Sequence, residues 1–357
     1  MALHSRPLYF IAMKWIQLLS LMSIISCSTK TELKLTLPEP VTNQASALLL
    51  KNGKPVVYTF YGLDSTRQQP GVHAKVFKVD LTSGEAAVLP SVPDEMGRLA
   101  ASASVIKNKA YIAGGYAVLP GGKEKSSNQL FVFDPDGESF TKASDLPVPI
   151  DDQIQGVWRD SLLFIISGWS DSLNVNTVQV YNPTTNTWKL GTPLPNESDA
   201  AVFGGSGVVA GDDIYFLGGA IFAKNYPPSK GFYKGVINPL DPSQIQWQKL
   251  GEYPGEHRYR SAAVFHDKRI YFFGGSNETY NYNGISYAEK KPVEPNKTVL
   301  IYDLESKLFS TFDVTENVQL MDLRNAWIYK HEFYIAGGMR THQQVSKQIV
   351  KFTFPLK

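Results

Sequence analysis

An aromatic or apolar run leading into Gly-Gly, or into a relic of that pair, recurs six times along the chain. The first three copies are Tyr58-Thr59-Phe60-Tyr61-Gly62, Tyr111-Ile112-Ala113-Gly114-Gly115 and Phe164-Ile165-Ile166-Ser167-Gly168. The later ones are Tyr215-Phe216-Leu217-Gly218-Gly219, Tyr271-Phe272-Phe273-Gly274-Gly275 and Tyr334-Ile335-Ala336-Gly337-Gly338. The first glycine position falls at 61, 114, 167, 218, 274 and 337. Such regularity marks one small unit stacked on copies of itself and is not expected of an ordinary two-domain enzyme.

Each unit repeats its parts in order. Upstream of the glycines sits a small residue (Ala103, Gly156, Gly207, Ala263 or Ala326), as a strand near a crowded axis requires. A tight polar turn follows, such as Lys107-Asn108-Lys109 or His266-Asp267-Lys268, and then the strand that ends in Gly-Gly. After a variable loop comes a strand closed by a turn starter, as in Phe131-Val132-Phe133-Asp134-Pro135. A second large ring then returns at a fixed interval: Phe133 with Phe140, Tyr181 with Trp188, Tyr302 with Phe309. Four short strands per unit, six times over, predict an all-β, six-bladed propeller.

The sixth unit ends near Phe352-Thr353-Phe354-Pro355, before a fourth strand, whereas Leu33-Lys34-Leu35-Thr36-Leu37-Pro38 reads like the outer strand of unit three. Residues 32–38 are therefore predicted to supply the outer strand of blade six, so that no edge is left torn. The Gly-Gly, the tyrosines and the spaced rings together resemble the Kelch repeat family over roughly residues 33–357, which implies a Kelch-type propeller at 32–357.

The amino terminus reads as an address. Residues 8–26 are apolar with Lys14 as their one charge, and they run into Ile24-Ile25-Ser26-Cys27. About a dozen apolar residues after Lys14 fall short of the ~20 that span a bilayer, and fit a secretory signal. The only cysteine of the chain directly follows the small residue. This resembles a bacterial lipobox, which implies a signal peptide at 1–26, acylation of Cys27, and a tether at 27–31. Ser28 after the cysteine implies delivery to the outer membrane. Met13 is as plausible a start as Met1. The formal charge is +2, and removing Arg6 and Lys14 with the signal brings it to zero. That excludes the basic footprint of a nucleic-acid binder.

In a four-stranded meander, the lead-in to strand one and the loop between strands two and three share a face. The opposite face carries the tight turns, with His266 and His331. Function is expected among the irregular loops. The lead-ins contain Arg98, Asp152, Gln153, Arg258, Arg260, Asp322 and Arg324. Convergent guanidiniums could clamp a carboxylate, or each could pair with a neighbouring acid and brace blade against blade. The blade-five loop carries Glu278, Tyr280, Asn281, Tyr282, Asn283 and Tyr287, and blade four adds Phe222, Tyr226, Phe232 and Tyr233 on the same side. Rings with polar tips suit stacking on sugars; the same residues could also make a flap over the shaft. Six scattered histidines show no ligand spacing, and neither metal nor cofactor is expected.

The blade-five loop further resembles a tyrosine- and asparagine-rich insertion in the six-bladed N-acetylneuraminate epimerase (sialic-acid mutarotase) family. That family's Glu and Arg after a blade's glycine have no clean counterpart here: Gly338-Met339-Arg340 offers the Arg alone, and Gly275-Ser276-Asn277-Glu278 the Glu alone. With its cysteine assigned to lipid, the chain lacks the cross-linked cysteine of galactose-oxidase-like copper enzymes. Three functions are expected: an envelope lipoprotein binding an acidic sugar or glycan, with Arg340 among its ligand-binding residues; a mutarotase with Glu278 as the proton-transfer group and Arg260, Arg258 or Arg324 holding the sugar carboxylate; or a scaffold for an envelope protein partner.

Overall fold

Each glycine pair meets the lead-in of the following blade, and this contact recurs around the molecule. In the computed structural model, which describes Met1 and residues 33–354, the second glycine donates its N–H to a lead-in carbonyl at five seams. The pairs are Gly62 to Arg98, Gly115 to Ile150, Gly219 to Arg258, Gly275 to Leu320 and Gly338 to Val41, all at 2.8–3.1 Å. The last of these joins blade six to blade one. At the remaining seam the Ser167 hydroxyl donates to the Val202 carbonyl at 2.9 Å. A side chain has no room here: a Cβ on Gly274 would lie 2.0 Å from the Leu320 carbonyl oxygen, and Gly274 has φ +58.

Six antiparallel sheets result. Their inner strands are Ala45–Lys51, Leu99–Ile106, Ile154–Trp158, Val202–Ala210, Ala262–His266 and Trp327–Tyr329. Blades one to five each follow a four-stranded meander, blade two with a fifth short strand, Glu124–Ser126, paired to its second strand, and blade six has three strands within residues 327–352. The spaced aromatic pairs sit directly opposite one another in the outer hairpins, Phe133 on Phe140, Tyr181 on Trp188 and Tyr302 on Phe309. Their centroids lie 4.8–5.0 Å apart, close enough to contribute beyond simple burial. Among the described residues no α-helix occurs.

The missing fourth strand of blade six comes from the other end of the unit. Thr36 bridges Gln348, Leu37 N–H donates to Lys347 at 2.7 Å, and Ile349 N–H donates to Leu35 at 3.0 Å. The pairing predicted over 32–38 is thus seen at Leu35–Leu37. Leu35, Leu37 and Val41 are buried with Val57, Phe77 and Val79 of blade one and Tyr334, Ala336 and Ile349 of blade six. Residues 34–357 form one unit. The predicted signal peptide, tether and Cys27 lie outside the described residues, and no helix among the described residues is long and apolar enough to cross a membrane.

Leu37 is 1% exposed at this clasp. Leu37→Ala should lower the unfolding free energy in urea by about 2–4 kcal/mol. The exposed Leu308, taken to alanine, should change it by no more than about 0.5 kcal/mol.

Candidate functional site

The shaft mouth is organised by a second series of main-chain hydrogen bonds, which runs from blade one to blade six. Ala100 N–H donates to Asn43, Asp152 to Ala100, Gly204 to Asp152, Arg260 to Gly204 and Leu323 to Arg260, at 2.8–3.2 Å. Asn43, Ala100, Asp152, Gly204, Arg260 and Asp322 all have positive φ. They occupy equivalent positions in the six blades, so Asp152, Arg260 and Asp322 meet over the axis. Arg260 forks onto Asp152 (2.5 Å) and reaches Asp322 (3.3 Å); Arg324 pairs with Asp152 (2.6 Å) and donates to the Asn43 side chain (2.6 Å). The Thr42 hydroxyl holds the other Asp322 oxygen at 2.6 Å. Two guanidiniums and two carboxylates, all at most 5% exposed, close the shaft with a neutral plug.

Arg98 and Arg258 do not join them. They stand two residues earlier, where the other blades carry Val41, Ile150, Val202 and Leu320, and their side chains enter the seams. Arg98 binds the Gly114 carbonyl, Gln129 and Asp94. Arg258 binds the carbonyls of Gly274 and Thr298 and the Thr298 hydroxyl. The expected convergence of four arginines is corrected to two, both already neutralised. Gln153 donates to the Ala113 carbonyl beneath the plug, where the shaft narrows to a polar cavity of about 20 Å³, the size of a water molecule.

Above the plug lies a cavity of about 130 Å³. Blade two contributes Tyr116 and Glu124, blade three Asp151, Asp152 and Trp169, and blade four Phe203 and Tyr226. Blade five contributes Arg260, Asn281 and Tyr287. Trp169, Phe203 and Tyr226 pack edge to face at 5.5–5.6 Å, and Tyr287 meets Tyr226 at 4.9 Å. Burial pushes the Glu124 carboxyl up, opposed by Arg260 and reinforced by Asp152. Burial, then repulsion from Asp152, holds the Asp151 carboxyl well above the usual range, against the Ser126 hydroxyl that donates to it at 2.6 Å. The cavity therefore sets two carboxyls whose charged forms burial disfavours, Asp151 and Glu124, against an aromatic wall.

The blade-five loop forms a flap as well as a wall. Thr279 donates to the Tyr226 carbonyl at 2.6 Å, Arg67 of blade one donates to the Asn283 carbonyl, and Gln343 of blade six donates to Val293. Tyr282 packs on Leu63, Leu99 and Tyr116. Tyr280 is fully buried, 5.3 Å from the Arg260 guanidinium. Of the loop residues singled out in the sequence, Asn281 and Tyr287 alone line the cavity. Glu278 is exposed outside it, and Arg340 binds Gln348. Phe232 and Tyr233 belong to a strand and are buried in blade four. Glu124, Asp151 and Trp169 were not singled out by sequence; the length of the blade-two loop was the available signal for Glu124.

A family model described as the Attractin/LZTR1 beta-propeller matches residues 57–350. Kelch-like protein 25 of Xenopus tropicalis is 26% identical over 66% of the chain, and Kelch-like protein 35 of Mus musculus is 26% identical over 52%. The chain spans only 38% and 29% of the lengths of those two relatives. A solved structure described as "Structure of YjhT" superposes with a TM-score of 0.70 at 14% identity, covering 89% of this chain and 96% of that one. This likeness shows the fold.

The raised Asp151 carboxyl gives a pH signature. A carboxyl whose folded pKa is raised lends stability below its unfolded value of about 4, and that stability is lost as pH rises through the folded value. Asp151→Asn is neutral throughout, so the melting temperature of the variant minus that of the wild type should increase from acid to alkaline pH. A difference that stays flat in the two thermal scans contradicts the assignment.

Proposed function

We propose, from the premise that the chain belongs to the Attractin/LZTR1 β-propeller family, that its loop-rich rim is a binding cup for a single sugar ring. The observation that carries this reading is the cavity in which Trp169, Tyr226 and Tyr287 face Glu124 and Asp151. Aromatic faces stack on the apolar side of a sugar, and carboxyls bond its hydroxyls. A volume of about 130 Å³ is near the ~150 Å³ that accommodates one benzene-sized ring, so one ring enters and any further residues of a glycan lie outside.

The charge pattern favours an uncharged ring over an acidic one. Both guanidiniums of the plug already have carboxylate partners, and the cavity otherwise contributes acids. A sugar carboxylate would have to displace Asp152 from Arg260 in a desolvated site.

A second reading, exchange of sugar anomers, is favoured by one specific feature. Anomer exchange needs an acid and a base at the ring oxygen and anomeric hydroxyl. Asp151, its carboxyl raised by burial, and Glu124, raised by the same cause, border the same cavity, and they replace Glu278 as the proton-transfer candidates. We further place the propeller in the bacterial envelope, tethered through Cys27; the lipobox-like stretch supports this.

Thermal-shift titration of the full chain with free neutral monosaccharides should give a saturable rise in melting temperature. Trp169→Ala should weaken that response about tenfold, the equivalent of about 1.4 kcal/mol for one lost aromatic contact. No response to any sugar, with copurification of an envelope protein, favours the scaffold reading instead. If anomers are exchanged, Glu124→Gln should lower the NMR-measured exchange rate by about 10²-fold or more, and equal rates dismiss the catalytic reading. Cys27→Ser should move the protein from the membrane to the soluble fraction of the cell envelope.

A further inference from the structure

On the face opposite the cup, the inner hairpin turns of neighbouring blades are clipped together by side chains. Between blades one and two, Asn108 exchanges two hydrogen bonds with the Leu50 backbone at 2.8 Å. Between blades two and three, Asp160 accepts from the Lys107 N–H at 2.7 Å. Between blades three and four, Asp212 accepts from the Trp158 indole at 2.8 Å. Between blades five and six the corresponding place holds two imidazoles and a carboxylate: His266, Asp267 and His331.

We propose that His266, Asp267 and His331 form a binding site for a divalent cation of the zinc class, which clips blade five to blade six. One ligand atom from each of the three lies within 4.8 Å of the others. His266 Nε2 is 3.1 Å from an Asp267 oxygen, and the two imidazole centroids are 5.7 Å apart. A first coordination shell with bonds of about 2.0–2.2 Å draws ligand atoms together over such separations. The ligands are pre-positioned. Asp267 and Lys268 in one turn, and Lys330 and His331 in the other, all have positive φ, which fixes two short hairpin turns. The His266 ring also packs against Phe333 at 5.9 Å.

The neighbouring ammonium groups have other partners: Lys268 pairs with Glu305 at 2.5 Å, and Lys330 lies over the Tyr329 ring. Two imidazoles with one carboxylate suit zinc and its borderline neighbours, whereas magnesium and calcium prefer all-oxygen sets. Three protein ligands leave the remaining coordination to water. The site stands apart from the cup, so the sugar-binding reading and this one can fail separately.

Calorimetric titration of the full, metal-stripped chain with Zn²⁺ alone tests the proposal. One equivalent should bind, and the melting temperature should rise with Zn²⁺ concentration. The Co²⁺ form should show ligand-field absorption in the visible. His331→Asn and Asp267→Asn keep a residue type that tolerates the left-handed turn. Each should weaken binding at least ~10-fold while leaving the metal-free melting temperature unchanged. Absence of saturable binding at millimolar Zn²⁺ overturns the proposal. So does one-equivalent binding whose affinity neither variant alters.

Discussion

The bond from a glycine N–H to the lead-in carbonyl of the next blade is what the rest of the structure depends on. It holds two backbones in close approach, so close that at Gly274 a Cβ would clash with the Leu320 carbonyl oxygen. Because Gly338 makes the same bond to Val41, the last seam matches four of the other five. The clasp at Leu35–Leu37 then covers the outer edge of blade six while Val41 secures its inner corner. A ring closed both at hub and rim has no strand edge at that seam on which another chain could pair.

This constraint also explains which parts of the site were legible in the sequence. The glycine pairs, the small residues of the inner strands and the paired rings obey local rules, and their spacing read directly as six blades. The lead-in arginines did not read as easily. In a regular strand, residues two apart share a face, so Arg258 and Arg260 look equivalent. The left-handed conformation of Arg260 breaks that alternation. It turns Arg260 over the axis and leaves Arg258 in the seam, at the position that Val41, Ile150 and Leu320 fill in other blades. Nothing in the run His257-Arg258-Tyr259-Arg260 announces this; it follows from the series of main-chain hydrogen bonds, which is a property of six blades together.

The loop residues illustrate a different limit. The tyrosines and asparagines of blade five were readable as surface chemistry, but their partners come from blades one, four and six. Tyr280 is buried under its own flap, and Tyr282 fills a gap between blades one and two. Glu124 gains its significance from Asp152 and Arg260, which no sequence interval connects to it, and Asp151 from its chain neighbour Asp152 together with a burial that only the assembled ring supplies. His266 and His331 are likewise one repeat apart, and stacking of adjacent blades is what brings their hairpin tips together. Composition thus pointed to the loop-rich rim, while the identity of the groups that meet there required the ring geometry.

The neutral plug links these levels. A buried ion-pair network is weak evidence of stability, since hydrophobic replacements often do as well, and here the backbone hydrogen bonds already hold the blades. Its consequence lies in what it presents upward. Asp152, shared by Arg260 and Arg324 below, still repels the carboxyl of its chain neighbour Asp151 and adds to the burial that raises it. The plug consumes the positive charge that would have attracted an anion and stands, one residue along, beside a carboxyl whose charged form is disfavoured. In the proposed sugar cup, ligand preference would therefore descend from the register of the hub: the position that places Asp152 over the axis also sets the polarity of the chamber above it.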